Sequence, residues 1–353
     1  MRLLITGGAG FIGSALAGLA IRAGHAVRVV DKLTYAGHLS SLRDVHDAPG
    51  FSFSQIDVCD GAAISAAMAE FEPDAVMHLA AETHVDRSIT GAGDFVETNV
   101  VGAYQMLEAA RRYWEASPAS RRDAFRFLHV STDEVFGSLG AEGRFSETTA
   151  YDPRSPYSAS KAASDHLARA WGHTYGLPVI ISNCSNNYGP RQLPEKLIPL
   201  MILNALDDVT LPVYGDGLQI RDWLYVDDHA QALLDMIEKG RPGRTYAVGG
   251  DCERTNLAVV QTVCDLLDRF APGETQRRAL IRHVQDRPGH DRRYAIDSSR
   301  AQAELGWRPK ESFETGLERT VDWYLKNEDW WGPLRKEGHG KNRLGLPGGE
   351  RRT

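Results

Sequence analysis

Thr6-Gly7-Gly8-Ala9-Gly10-Phe11-Ile12-Gly13 decides the fold. It follows a short apolar run, Arg2–Thr6, and opens a longer apolar pattern, Phe11–Ala23. Glycine is needed where a backbone turns with positive φ, and where it must approach a pyrophosphate with no Cβ in the way. The helix start that follows offers N–H groups and a positive dipole end to phosphates. Asp31 closes the next apolar run, eighteen residues after Gly13. An acid there accepts hydrogen bonds from a ribose diol and repels a 2′-phosphate, which favours NAD over NADP. The same glycines dispose of a rival reading. Nineteen uncharged residues separate Arg2 from Arg22, as in a signal peptide or a membrane span. Gly7, Gly8, Gly10 and Gly13 interrupt that run where a buried helix would be continuous, so a parallel strand and a glycine turn explain it better.

Outward from this turn, the first half alternates short apolar runs with helical patterns. Strands are expected at Arg2–Thr6, Ala26–Asp31, Phe51–Asp57, Asp74–Ala80, Phe125–Ser131 and Pro178–Asn183. Helices are expected near Phe11–Ala23, Ala62–Glu70, Asp94–Glu115 and Pro156–Tyr175. Val-, Ile- and Leu-rich strands alternating with helices predict an α/β fold, a doubly wound parallel sheet of Rossmann type, with ligands at the carboxyl ends of the strands. After about residue 184 turn residues multiply, and helical patterns at Lys196–Leu206, Asp228–Lys239, Leu257–Phe270 and Phe313–Lys326 are separated by short strand-like pieces. The expected organisation is an NAD-binding domain over 1–184, a smaller α+β domain over 185–330, and a tail over 331–353. Some later segments, such as Thr245–Val248, are expected to return to the main sheet. The Gly-, Lys- and Arg-rich end from Gly338 to Thr353 reads as mobile.

Composition bounds the classes. The 353 residues suggest about two domains at roughly 150 residues each. With 42% hydrophobic and 25% charged residues the chain is globular, neither disordered nor fibrous. A net charge of −7 disfavours unspecific binding to nucleic acid or membranes. Cys59, Cys184, Cys252 and Cys264 lie far apart, with no C-x-x-C pair, so no metal site is expected and a reducing cytoplasm fits.

Two further constellations carry chemistry. Tyr157-Ser158-Ala159-Ser160-Lys161 begins a helix after Pro156, and i, i+4 spacing puts phenol and ammonium on one face. A nearby lysine cation and the positive nicotinamide ring lower the phenol's pKa from about 10, so the pair can take a proton from a substrate hydroxyl while hydride leaves the same carbon. Ser131-Thr132-Asp133-Glu134 sits just beyond the fifth strand, at the ligand-binding rim. Thr132 can hydrogen-bond a reacting hydroxyl. Asp133 and Glu134 are neighbouring carboxyls whose mutual repulsion and burial would keep one protonated and the other ionised, as elimination of water requires. The structural alternative is helix or turn capping by Asp133. At the cofactor, contacts are expected from Gly7, Gly10, Phe11, Ile12, Gly13, Asp31, Lys32, Leu33, Thr34, Asp57, Val58, Leu79, Ala80 and Ala81.

The glycine fingerprint and Tyr-x-x-x-Lys resemble the extended short-chain dehydrogenase/reductases. Longer strings resemble the dTDP-glucose 4,6-dehydratase family: Asp31-Lys32-Leu33-Thr34-Tyr35-Ala36-Gly37, Ala80–Ser88, Thr132-Asp133-Glu134-Val135-Phe136-Gly137, Asn186–Pro190, Pro194–Pro199, Arg221–Val226 and Asp286–Asp291. The resemblance covers about residues 1–330. It implies a three-stage reaction on one bound NAD. Tyr157, assisted by Thr132 and Lys161, removes the C4 hydroxyl proton of the sugar while hydride passes from C4 to NAD. Glu134 takes the acidified C5 proton and Asp133 protonates the departing C6 hydroxyl. Hydride then returns to C6 and C5 is reprotonated. The resemblance further implies substrate contacts from Thr83, Thr132, Asp133, Glu134, Asn186, Glu195, Lys196, Leu197, Pro212, Tyr214, Arg221, Asn256, Arg287 and His290, and cofactor contacts from Thr98, Tyr157, Lys161 and Asn187. It implies a homodimer through helices near 94–115 and 156–175, where Tyr104, Leu107, Ala168 and Trp171 are available for packing. Arg191-Gln192-Leu193, a short loop Ser138–Ser146 and Val213 depart from the family pattern. Two other readings share the fold. A nucleotide-sugar 4-epimerase would use the same Tyr–Lys pair but has no use for Asp133 and Glu134. A non-catalytic NAD-binding protein would tolerate loss of Tyr157 or Lys161.

Overall fold

The protein is described by a computed structural model that covers residues 1–274 and 276–337. The expected mobile end, Gly338 to Thr353, lies outside the described residues. In chain order the strands are β1 (Arg2–Thr6), β2 (Ala26–Asp31), β3 (Phe51–Gln55), β4 (Ala75–His78), β5 (Arg126–Thr132), β6 (Val179–Cys184), β7 (Asn186–Tyr188), β8 (Leu211–Tyr214), β9 (Ile220–Tyr225), β10 (Thr245–Val248), β11 (Glu253–Thr255) and β12 (Ile281–Val284). Seven of them form one sheet in the order β10-β6-β5-β4-β1-β2-β3, and every pairing in it is parallel.

Strand alternation distributes the sheet's side chains between two apolar layers. Leu3 and Ile5 of β1 face a core shared with the helices Phe11–Arg22 and Val226–Lys239, whereas Leu4 faces one shared with Gly61–Phe71, Gly102–Ala116 and Pro156–Tyr175. Helices therefore cover both faces, and the doubly wound α/β fold expected from the glycine turn is the one that forms. The uncharged run between Arg2 and Arg22 is strand, turn and helix. No helix among the described residues is long and apolar enough to cross a membrane. The strand order reverses between β1 and β4, and a crevice opens at such a switch point.

The second half supplies β10 and the helix Val226–Lys239 to the main sheet. The rest makes a three-stranded sheet (β11-β9-β7) and a two-stranded one (β12-β8). They pack with the helices Leu197–Leu206, Asn256–Phe270 and Phe313–Lys326 around a second core containing Ile202, Trp223, Val260 and Leu317. A last helix, Glu328–Lys336, buries Trp330 and Leu334 against Leu193.

One helix departs from expectation. Asp94–Glu115 was read as continuous, but the chain forms Ala92–Val96, a widened π turn at Glu97–Val101 and then Gly102–Ala116. The extra residue in that turn has a partner to serve. Asn99 accepts the Glu82 N–H (2.8 Å) and donates to the Glu82 carbonyl (3.0 Å) and to Ser160 Oγ (2.9 Å). Such bulges recur beside functional sites.

Candidate active site

A cavity of about 290 Å³ crosses the carboxyl ends of β1, β2, β4, β5 and β6. Its cofactor end is built by the glycine turn. Gly7 has φ +67°, and a Cβ there would stand 2.7 Å from Ala80 N. A Cβ on Gly13 would stand 2.2 Å from the Gly7 carbonyl oxygen. Neither obstruction is a side chain that could move aside, so only glycine forms this cradle, and it opens the helix Phe11–Arg22 as a dinucleotide's pyrophosphate requires. Asp31 borders the cavity and also ties the turn, accepting from Ala9 N (3.0 Å) and Leu33 N (2.9 Å). Burial raises its pKa despite those bonds.

Gly7, Gly10, Phe11, Ile12, Gly13, Lys32, Thr34, Val58, Leu79, Ala80, Ala81, Thr98 and Asn187 line the same cavity, as do Thr83, Asn186 and Lys196. Leu33 and Asp57 do not. Leu33 has φ +59° and turns its side chain onto the core. Asp57 accepts from Cys59 N (3.0 Å) and Lys32 Nζ (3.3 Å), and its neighbours Ile56 and Val58 form the wall instead.

At the other end, Ser155 caps the helix Pro156–Tyr175 in a reciprocal pair with Ser158, and this fixes Tyr157 and Lys161 one turn apart on its inner face. Both are buried. Lys161 Nζ donates to the Val130 carbonyl (2.8 Å), and the Tyr157 phenol is within hydrogen-bond reach of Thr132. Thr132 Oγ1 accepts from Glu134 N (3.2 Å) and donates to Asp133 Oδ1 (3.3 Å). Tyr157, Lys161, Thr132, Asp133 and Glu134 thus border one space.

Burial, then the Glu134 and Asp222 charges, hold the Asp133 carboxyl well above the usual range. Glu134 is also raised by burial, but the Arg287 and Arg221 guanidinium groups oppose the shift. Tyr157 and Lys161 are shifted by their own surroundings. Burial and the Glu134 charge push the phenol up, and burial pushes Lys161 down. Proximity to Lys161 alone does not make the phenol acidic.

The remaining expected substrate contacts lie outside the cavity wall. Arg221 stacks over Tyr294 (4.2 Å to the ring centre) and donates to the Asp291 carbonyl (3.0 Å). Arg287 and Tyr214 both donate to Asp86, each at 3.0 Å, and His290 meets Asp286 at 2.6 Å. Both arginines still act electrostatically on Glu134. Glu195 sits behind the wall with Arg87 (2.9 Å), Leu197 opens a helix packed on the second core, and Pro212 lies on β8. Asn186 Oδ1, Asn256 Oδ1 and Arg287 Nε are buried without a hydrogen-bond partner among the described residues, which suits a polar ligand.

Ala36, Gly37, Ile56, Glu82, Val130, Cys184 and Ser185 line the cavity without having been expected there; Ser131, expected at the rim, and Gln192 and Leu193, in the segment that departs from the family pattern, line it too. The rule that ligands gather at strand ends points to Ser131, Cys184 and Ser185.

The profile described as GDP-mannose 4,6 dehydratase matches residues 4–320. A Sinorhizobium fredii protein named probable dTDP-glucose 4,6-dehydratase is 59% identical over 346 residues, 98% of this chain and 99% of that one. The chain belongs to the dTDP-glucose 4,6-dehydratase family. A dTDP-glucose 4,6-dehydratase of Streptomyces venezuelae, solved with NAD bound, superimposes with a TM-score of 0.87 at 44% identity, over 95% of this chain and 100% of that one. The UDP-glucose 4-epimerase of Thermus thermophilus reaches a TM-score of 0.81, but at 30% identity over 93% of this chain and 100% of that one. The fold is shared by both activities, while the sequence stands with the dehydratases.

Proposed function

We propose that this chain dehydrates dTDP-glucose to dTDP-4-keto-6-deoxyglucose with NAD as its resident cofactor. The observation that carries this reading is the meeting of two chemistries in one cavity: the Tyr157–Lys161 pair and the Asp133–Glu134 pair. An epimerase needs only the first. When bound, NAD accepts a hydride from C4, returns it to C6, and its ring charge favours the Tyr157 phenolate.

Tyr157 takes the C4 hydroxyl proton, steadied by the Thr132 hydroxyl. Lys161, anchored on the Val130 carbonyl, supplies the cation beneath that exchange. With a ketone at C4 the C5 proton becomes acidic. Glu134 removes it, its carboxylate supported by Arg287 and Arg221. Asp133, kept protonated by burial and by its anionic neighbours, gives its proton to the departing C6 hydroxyl. Glu134 then reprotonates C5. The net change is loss of water, so no second redox substrate is consumed.

Incubation of the pure protein, without added reductant, with dTDP-, UDP-, CDP- and GDP-glucose tests the reading. A 4-keto-6-deoxy sugar from the dTDP substrate supports it; dTDP-galactose in its place would favour epimerisation.

Two finer expectations belong here. Leu107 and Ala168 are buried in the subunit core, so they do not support a dimer contact. Tyr104 does: it is 42% exposed and stacks edge-on against Trp171, on neighbouring helices with a shared outer face. A homodimer through that face is proposed. A cytoplasmic location is proposed from the four unpaired thiols.

A further inference from the structure

Redox-neutral dehydration places a demand on the protein that the acid–base groups do not meet. Between the oxidation at C4 and the reduction at C6 the reduced cofactor must not leave, because the keto sugar would then be stranded. Something must therefore hold the cavity closed around the cofactor.

Three segments distant in sequence meet at its rim. The turn after β2 contributes Thr34, Ala36 and Gly37 to the wall, the segment after β4 contributes Glu82 and Thr83, and the segment after β7 contributes Gln192, Leu193 and Lys196. One residue from or beside each is drawn into a single knot. Tyr35, between two wall residues, donates its hydroxyl to Glu82 (3.0 Å). Arg87 lies over the Tyr35 ring, 3.9 Å from its centre, and donates to Glu195 (2.9 Å). Glu195, whose side chain is 3% exposed, also stands 3.9 Å from His84. Its neighbour Lys196 reaches back to the Thr83 carbonyl (3.2 Å). The opposite flank of the knot is covered by the last helix, where Leu193, Trp330 and Leu334 pack with Tyr35 and Ala36.

We infer that Arg87 is a positioning residue, tying the turn after β2 and the segment around Glu195 into a strap that keeps the cofactor in place for a whole turnover. The inference rests on the dehydratase reading. Arg87 suits the task because one planar guanidinium can cover an aromatic ring and hydrogen-bond a carboxylate at once, which an ammonium cannot. Neither Arg87 nor Tyr35 touches the reacting carbons' acid–base groups, so their loss should change where the reduced cofactor goes rather than how fast C4 is oxidised.

The experiment uses the purified full-length enzyme and two readouts. The first is NAD retained per protomer after gel filtration. The second is the amount of NADH captured by an external NADH-oxidising enzyme for each 4-keto sugar formed from dTDP-glucose. Arg87→Met should raise the captured ratio about tenfold, the scale of losing one charge-assisted tie, and lower retained NAD. Tyr35→Phe, which removes only the hydroxyl, should move both in the same direction by less. Arg87→Lys should restore part of the retention. A folded Arg87→Met enzyme with unchanged retention and unchanged captured ratio overturns the inference. If Arg87→Met does not fold, an unchanged Tyr35→Phe enzyme overturns it instead. If the wild-type protein makes no 4-keto sugar, the dehydratase reading falls, and retained NAD in the variants still decides whether the strap exists.

Discussion

Asp133 and Glu134 are neighbours in the chain, yet the protein gives them different surroundings. Asp133 is 1% exposed and faces other carboxyls, whereas Glu134 faces two guanidinium groups. Burial raises both, and the neighbours decide which stays protonated longer. Glu134→Gln should therefore still reduce the bound cofactor on mixing with substrate. It should lose about 10²–10⁴-fold in dehydration, as removal of a general base does, visible as an NADH absorbance that rises and does not decay. Asp133 also carries a stability consequence. Its folded pKa lies above its unfolded one, so its contribution is intact below the usual carboxylate range and is lost as pH rises through the folded value. Asp133→Asn should accordingly melt higher than wild type near pH 8, with the difference disappearing near pH 3, while dehydration falls. A lower Tm for Asp133→Asn at pH 8 would remove the assignment of a strained, protonated acid. At this scale the sequence names chemistry well and placement poorly. Asp133, Glu134, Tyr157 and Lys161 were brought to one cavity as their positions after β5 and at the start of a helix suggested. Leu33 and Asp57, just past strand ends, and Glu195, just before a helix, lie beside wall residues, but a side chain that turns away leaves no trace in the string.

The element scale is governed by the glycine turn between β1 and the helix Phe11–Arg22. A Cβ at Gly13 meets backbone, so Gly13→Ala cannot be relieved by a side-chain rotation. The variant should fold with nearly native circular dichroism and be isolated with little NAD, and added NAD should restore activity only at far higher concentration; full NAD occupancy would contradict the role given to the turn. Local signals located this turn, the helix Pro156–Tyr175 and the first six strands to within two residues at either end, because apolar runs, turn glycines and the Ser155 cap mark where each begins and ends, although the strands pair with distant partners. The π turn at Glu97–Val101 escaped notice because its cause, the Asn99 clamp on Glu82 and Ser160, is tertiary. The short strands β7, β9 and β11 escaped for a related reason. Pairing such as Arg254 with Arg221 is set by distant partners rather than by an alternating pattern.

For the whole molecule, the two cores are joined by segments that cross between them. Chain from the second half completes the main sheet as β10, and the final helix returns to the turn after β2. Arg43 donates to Asn327 (2.6 Å) there, and Trp330 Nε1 donates to Ser41 (3.3 Å). Trp330 is 2% exposed, so Trp330→Ala should cost about 3–5 kcal/mol and lower the Tm. The loss should also weaken NAD retention, because the cavity wall at Ala36 and Leu193 stands on that contact; destabilisation with unaltered retention would separate the final helix from the site. Thr245–Val248, the segment expected to return to the main sheet, is its strand β10, so a boundary near residue 184 marks a change of pattern in the string and not the path of the chain.

The account stands most directly on the path of one hydrogen. dTDP-glucose carrying deuterium at C4 should be converted, with no added NADH, to a 4-keto sugar whose methyl group at C6 holds that deuterium. Deuterium recovered in solvent, or in free NADH, with none at C6 would contradict it.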